Sequence, residues 1–126
     1  MNKFDLEDRL INFAVSVINV CAELENSKAG NHIAGQLLRS GTSPALNYGE
    51  AQSGESRKDF VHKIKIVLKE LRESLVSLKI IERANLSSSI VNVLKVQKEC
   101  NELISIFVKS VETAQKNLAT EKIHKS

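Results

Sequence analysis

The sequence predicts an all-α protein, an antiparallel up-down-up-down four-helix bundle in one domain. Three observations predict it. The 126-residue chain has one Pro and five Gly, too few breakers for a turn-rich β architecture. Four long segments repeat apolar residues at alternating spacings of four and three, the period of a helix with one buried side. Short stretches of Asn, Ser and Gly separate them, and short connections make neighbouring helices antiparallel.

The first helix is expected from about Leu6 to Glu25, capped by Asp5, with Leu10, Ala14, Val17, Cys21 and Leu24 as its seam. Ile11, Val15 and Ile18 lie about 100° round from that seam, while Asn12, Ser16, Asn19 and Glu23 fill the polar side. The apolar arc is therefore wider than one bundle core requires. It reads either as a core flank or as a subunit interface through Ile11, Val15 and Ile18.

After the turn at 26–30, a second helix is expected from about Asn31 to Gln52, with Ile33, Leu37, Gly41, Ala45 and Tyr48 as its seam. Pro44 cannot donate to the Ser40 carbonyl, so a kink is expected near it. Ser53 or Gly54 is the expected cap of a third helix running from about Glu55 to Ala84. Its seam is Phe60, Ile64, Val67, Leu71, Leu75, Leu78 and Ile81 or Ala84, and Asn85 suits a left-handed C-terminal position. Ser87 is the expected cap of the fourth helix, with Leu86 and Val91 spaced as a hydrophobic staple. Val93, Gln97, Cys100, Ile104, Phe107, Val111, Ala114 and Leu118 continue its pattern. The bundle is expected to span residues 1–118, with a polar, frayed tail over 119–126.

Net charge is only +3, but it is unevenly placed. Residues 1–25 hold two basic and five acidic groups; residues 55–84 hold eight basic and five acidic. No apolar run is long enough to span a bilayer, and the N-terminus has no signal-peptide character, so a cytoplasmic protein without a membrane role is expected. Cys21 and Cys100 read as reduced, buried small hydrophobes rather than a disulfide or metal pair, because nothing nearby completes a ligand set.

The stretch Gln36-Leu37-Leu38-Arg39-Ser40-Gly41-Thr42-Ser43-Pro44, then Asn47-Tyr48-Gly49-Glu50-Ala51-Gln52, then Glu55-Ser56-Arg57-Lys58-Asp59-Phe60, His62-Lys63 and Leu68-Lys69-Glu70 resembles the centre of a known family. The family is the four-helix-bundle proteins encoded by intervening sequences in bacterial 23S ribosomal RNA genes. The opening Phe4-Asp5-Leu6-Glu7-Asp8-Arg9-Leu10 fits its start, and the C-terminal helix matches in pattern alone. The resemblance implies an antiparallel bundle that assembles into a ring-shaped homopentamer. A related branch, the accessory protein of diversity-generating retroelements, is similar in fold and engages nucleic acid and a reverse transcriptase. Possible partners are thus RNA, DNA or a nucleic-acid-processing protein. The family carries no settled biochemical activity, so membership fixes fold better than function.

The residues that suggest a function lie on the third helix. Lys58, Lys65, Arg72 and Lys79 recur every seven residues, with Lys69 and Arg83 beside them, and form one slowly drifting stripe. Glu55, Asp59, Glu70 and Glu73 lie on the other side of the same outer face. Like charges four apart, such as Lys65 and Lys69, slightly destabilise a helix unless an anion or acidic neighbour fills the gap. The stripe is the expected contact for phosphates of RNA or DNA, in a non-enzymatic scaffold. The alternatives are an assembly module without nucleic-acid binding, or a solvated face whose charges pair within the bundle, the acidic first helix being one such neighbour. With one Tyr and four Phe, most at core phases, base stacking is not expected and binding should be backbone-directed.

Ser43, Asn47, Tyr48, Glu50 and Arg57 are expected to form a structural polar network fixing the second helix against the third, since polar groups near a core must be satisfied. No cofactor is expected. A di-iron bundle needs two Glu-x-x-His pairs and further carboxylates; the nearest match is Asp59 with His62, on the outer face, while His32 and His124 stand apart. No catalytic triad, P-loop or dinucleotide fingerprint appears.

Overall fold

The computed structural model describes residues 1–54 and 56–125, with Lys125 in its backbone only. It contains four helices: α1 (Lys3–Ala22), α2 (Lys28–Gln52), α3 (Arg57–Arg83) and α4 (Ile90–Lys125). They form an all-α bundle. α2 packs on α1 and α3, and α4 packs on α3 and more lightly on α1, so α1 and α3 occupy opposite corners. Paired positions run in opposite order along neighbouring helices. Arg39 meets Glu73 and Glu50 meets Lys63 between α2 and α3; Gln97 reaches Leu78 and Arg57 reaches Glu121 between α3 and α4.

The first three helices each start at a side-chain cap that satisfies amides left free in the first turn. For α1 the cap is Asn2, not Asp5. Its side chain accepts from the amides of Phe4 and Asp5, and Asp5 bonds back to the Asn2 amide, completing a capping box three residues earlier than expected. Ser27 caps α2, which therefore starts at Lys28 rather than Asn31. Ser56 caps α3, in place of Ser53 or Gly54; the expected start at Glu55 lies outside the described residues. α3 ends as the sequence suggests. Asn85 has φ 55°, and the Leu86 and Asn85 amides donate to the carbonyls of Ile81 and Glu82, a Schellman arrangement with Leu86 buried beneath it. Ser87 sits before α4 and accepts from the Ser89 amide, but the helix proper begins at Ile90. Val91 is exposed, so the expected staple with Leu86 is not made. α4 stays helical beyond Ala119, where fraying is expected from composition; Glu121 in those turns takes the Arg57 guanidinium at 2.9 Å.

The seams differ from the predicted ones by a rotation of part of a turn. In α1 the core is Leu6, Leu10, Phe13, Val17 and Val20, while Ala14, Cys21 and Leu24 are half-buried. The large Phe13 claims the centre, and Cys21 turns toward α2, where its thiol approaches the Ala34 carbonyl at 3.6 Å. In α3 the core is Val61, Ile64, Val67, Leu71, Leu78 and Ile81, with Ser74 taking the place expected for Leu75 and Ala84 left exposed. In α4, Val96 and Leu103 are buried where Gln97 and Ile104 were expected. Gly41 has a packing reason: a Cβ there would sit 2.6 Å from a Val17 methyl, so only glycine lets α1 and α2 approach this closely. Pro44 lies buried inside a helix that continues to Gln52. Nearby, the Thr42 hydroxyl and the Asn47 amide donate back to the Leu38 and Ser43 carbonyls.

At one end the α1–α2 and α3–α4 connections are tied together. The Glu25 amide donates to the Leu86 carbonyl at 2.8 Å and the Ser88 amide to the Glu23 carbonyl at 3.0 Å. Those bonds fix both loops, and with them the relative heights of the helices.

Candidate functional site

The outer face of α3 presents every member of the predicted stripe to solvent. Lys58, Lys65, Lys69, Arg72, Lys79 and Arg83 are all exposed. Successive members of the seven-residue series stand about 10 Å apart along the axis. Among the described residues, Lys69 alone of the six has an acidic partner, Glu73 at a long 3.9 Å. The others have none.

Other cations of the chain are used differently. Arg9 of α1 donates two bonds to Glu99 of α4, at 2.8 and 2.7 Å, and the charge-assisted bonds raise its already high pKa. Arg39 of α2 divides its guanidinium between Glu70 and Glu73 of α3, at 2.9 Å each. Its hydrogen bond holds the Glu73 carboxyl below the usual carboxylate range. Lys63 is tied to Glu50, and Arg57 to Glu121. These four cations bridge helices, whereas among the described residues the stripe cations join no two helices. The possibility that acidic α1 neutralises the stripe from inside the same bundle is removed, since α1 lies at the opposite corner. Of the acids expected beside the stripe, Glu70 is buried and Glu73 is held by Arg39; Asp59 is exposed, and Glu55 lies outside the described residues.

The floor of this face is apolar, which the heptad reading of the charges missed. An open groove of about 810 Å³ runs over α3 beside α2, lined in part by Lys65, Lys69 and Arg72 with Leu68, Val76 and Ile80 between them. A second groove of about 450 Å³, lined by Val76, Lys79, Ile80, Arg83 and Ala84, lies along the next turns. Val76 is 57% and Ile80 42% exposed. The available signal was that both fall outside the core seam of α3, at the phase of Lys69 and its neighbours.

The expected polar network does not form as one unit. Asn47 donates to the Ser43 hydroxyl at 2.7 Å, a local link within α2. Glu50 and Arg57 are exposed and engage separate partners. Tyr48 is buried, stacks edge-on against Phe107 at 5.6 Å, and bonds to Gln52; burial, with Glu7 nearby, pushes its phenol up. The buried polar tie between α2 and α3 is one turn earlier, where the Ser74 hydroxyl donates to Ser40 at 2.9 Å. Small hydroxyls were hard to single out because Ser occurs throughout the chain.

Cys100 is buried with its thiol against the Leu71 carbonyl, and burial pushes its pKa up to about 12; Cys21, half-buried, is pushed up to about 11. Both are free thiols. Among the described residues no group of three or more His, Cys, Asp or Glu is placed to hold a metal ion, and no helix is long and apolar enough to cross a membrane. Asp59 and His62 are exposed on α3.

Residues 2–109 match the 23S rRNA-intervening sequence protein family. The chain belongs to that family. A solved structure from Bacteroides thetaiotaomicron, described as a protein of unknown function from the S23 ribosomal protein family, superposes with a TM-score of 0.78 at 27% identity, covering 89% of this chain and 99% of its own. No curated protein matches the sequence. Family and fold thus agree with the resemblance seen in the central stretch, and the structural relative carries no described activity.

Proposed function

We propose that this protein is a non-enzymatic scaffold that binds the phosphate backbone of RNA, or of DNA, through the outer face of α3. The observation that carries this reading is the division of labour among the cations. Arg9, Arg39, Arg57 and Lys63 are consumed in ties between helices, while Lys58, Lys65, Arg72, Lys79 and Arg83 stand in one row, exposed and without a carboxylate among the described residues. A rigid row of unneutralised charge recruits a polyanion and releases its counterions. The family's name, which ties its members to 23S rRNA intervening sequences, is consistent with such a partner. Because Tyr48, Phe13 and Phe107 are buried, the row has no aromatic platform from these rings, and recognition follows the backbone rather than the bases.

A second reading, a protein-assembly module that binds no nucleic acid, is favoured by Val76 and Ile80, which give the basic face an apolar floor. Two variants separate the readings. Lys65→Glu with Arg72→Glu removes and reverses two phosphate contacts, and should weaken binding across all sequences and lower the salt slope by about 1.4–1.8. Val76→Ser with Ile80→Ser should leave phosphate binding unchanged. The opposite pattern would favour a protein partner.

A further inference from the structure

Along the α2–α3 seam one buried hydroxyl is left over. Ser40 and Ser74 bond to each other at 2.9 Å, and Ser74 also donates back to the Glu70 carbonyl. Ser77, three residues further on, is 7% exposed, yet its hydroxyl meets no partner among the described residues. It does not even take the carbonyl four residues back that helical serines commonly use. A buried hydroxyl without a bond is costly, and Ser77 stands in the wall of the 810 Å³ groove. The Ser40–Ser74 bond sets the register of two antiparallel helices, so Gln36, one turn before Ser40, comes level with Ser77. Gln36 lines the same groove, and its amide is likewise unbonded among the described residues.

Three chemistries follow one another along this groove. At one end stand the exposed Lys65, Lys69 and Arg72. In the middle are the Ser77 hydroxyl and the Gln36 amide. Val76 and Ile80 form an exposed aliphatic floor, shared with the second groove, which runs on to Ala84. Among the described residues lining the larger groove the one acid, Glu73, is held by Arg39. Arg72 and Ala84 are about 18 Å apart along the axis, and the groove's volume falls within the roughly 300–1,000 Å³ of small-ligand sites.

We infer that this groove is a binding site for an acylated organic anion, an aliphatic chain joined through an amide or ester to a carboxylate or phosphate. The anionic head meets Lys65, Lys69 and Arg72. The carbonyl of the linkage accepts from the Ser77 hydroxyl, and the chain covers Val76 and Ile80. Other occupants leave part of the groove unmet. A nucleic-acid backbone uses the cations and leaves the aliphatic floor wet. A helix from a partner protein covers the floor, but its amides are bonded internally and it seals Ser77 without a partner. The inference does not rest on nucleic-acid binding, because Val76, Ser77 and Ile80 have no part in contacts to phosphates.

The test is calorimetric titration of nuclease-treated protein with N-lauroylglycine and with laurate, each below its micelle-forming concentration, at about 0.15 M salt. N-lauroylglycine should bind saturably, and the cationic dodecyltrimethylammonium should not. Val76→Asp with Ile80→Asp, at exposed positions, should weaken binding at least about tenfold with unchanged helicity. Ser77→Ala should weaken N-lauroylglycine by about three- to tenfold and leave laurate, which lacks the amide, unchanged. Val15→Asp, on the exposed apolar side of α1, should leave both probes unaffected. No saturable binding to the wild type, equal binding of the cationic probe, or loss of binding in Val15→Asp would each overturn the assignment. So would a Ser77→Ala variant that weakens both probes alike or neither. Should the α3 double variant lose helicity, the response of Ser77→Ala to the two probes decides. No nucleic acid is present, so failure here is separate from failure of phosphate binding.

Discussion

The outward sides of α1 and α3 are built on the same helical repeat and end in opposite chemistry. Both helices bury an alternating seam of aliphatic residues, Leu10 and Val17 in one, Ile64, Val67 and Leu71 in the other. Outside that seam α1 shows Ile11, Val15 and Ile18, whereas α3 shows Lys58, Lys65, Arg72 and Lys79 around Val76 and Ile80. The inward residues explain the fold and are interchangeable with those of many bundles. The outward residues are not required by the fold, and they differ in exposed chemistry, apolar on α1 and basic on α3.

The largest effect expected from breaking this comparison lies where both sides share the core. Leu71→Ala, at a fully buried position, should cost about 2–5 kcal/mol in urea unfolding. Val76→Ala on the outer side of the same helix should stay within about 0.5 kcal/mol. Equal losses would mean that the outer face is packed against something in the isolated protein. Gly41→Ala should follow, at about 1–3 kcal/mol, because the added methyl is forced onto Val17, a stiff β-branched side chain in the core. A smaller companion change, Val17→Ala, should recover part of that loss, which a double-mutant cycle reads directly.

Fold class, helix number and the α3 stripe were legible because period and residue type carry them. The seams were placed less well. Phe13, Ser74 and Leu103 displaced Ala14, Leu75 and Ile104 from the centre, since two neighbouring phases of an apolar helix are equally hydrophobic and only the partner helices choose between them. Caps shifted to Asn2, Ser27 and Ser56 because several adjacent Asn, Asp and Ser residues could each accept the same amides. Within the candidate site, the sequence supplied the cations but not their state. Lys63 and Lys65 look alike in a sequence, yet one is tied to Glu50 and the other is free of any carboxylate among the described residues. Pairing across helices depends on register, which a single helical wheel does not contain.

Two finer effects sharpen the contrast between paired and unpaired groups. The Glu73 carboxyl is held below its usual range by Arg39, so its contribution is present above the unfolded carboxylate value and is lost as pH falls through the lower folded one. In Arg39→Met, the Glu73 midpoint should rise when followed by NMR, and acid sensitivity of folding should begin at higher pH. An unchanged midpoint would mean that the pair does not persist in solution. The smallest expected difference is between the two thiols. With pKa values near about 11 and about 12, both should label slowly at pH 8, Cys100 more slowly than Cys21. Faster labelling of Cys100 would show that α3 and α4 open more readily than α1 and α2.

The most direct measurement of the basic face is binding of the purified protein to a structured RNA, a duplex DNA and an unrelated polyanion across a salt series at fixed oligomeric state. Affinity for RNA or DNA should exceed that for the plain polyanion and fall linearly in log–log form, by about 0.7 to 0.9 per phosphate neutralised. Absence of binding to either nucleic acid even at low salt would contradict the assignment of the α3 row to phosphates and make those cations part of a protein contact.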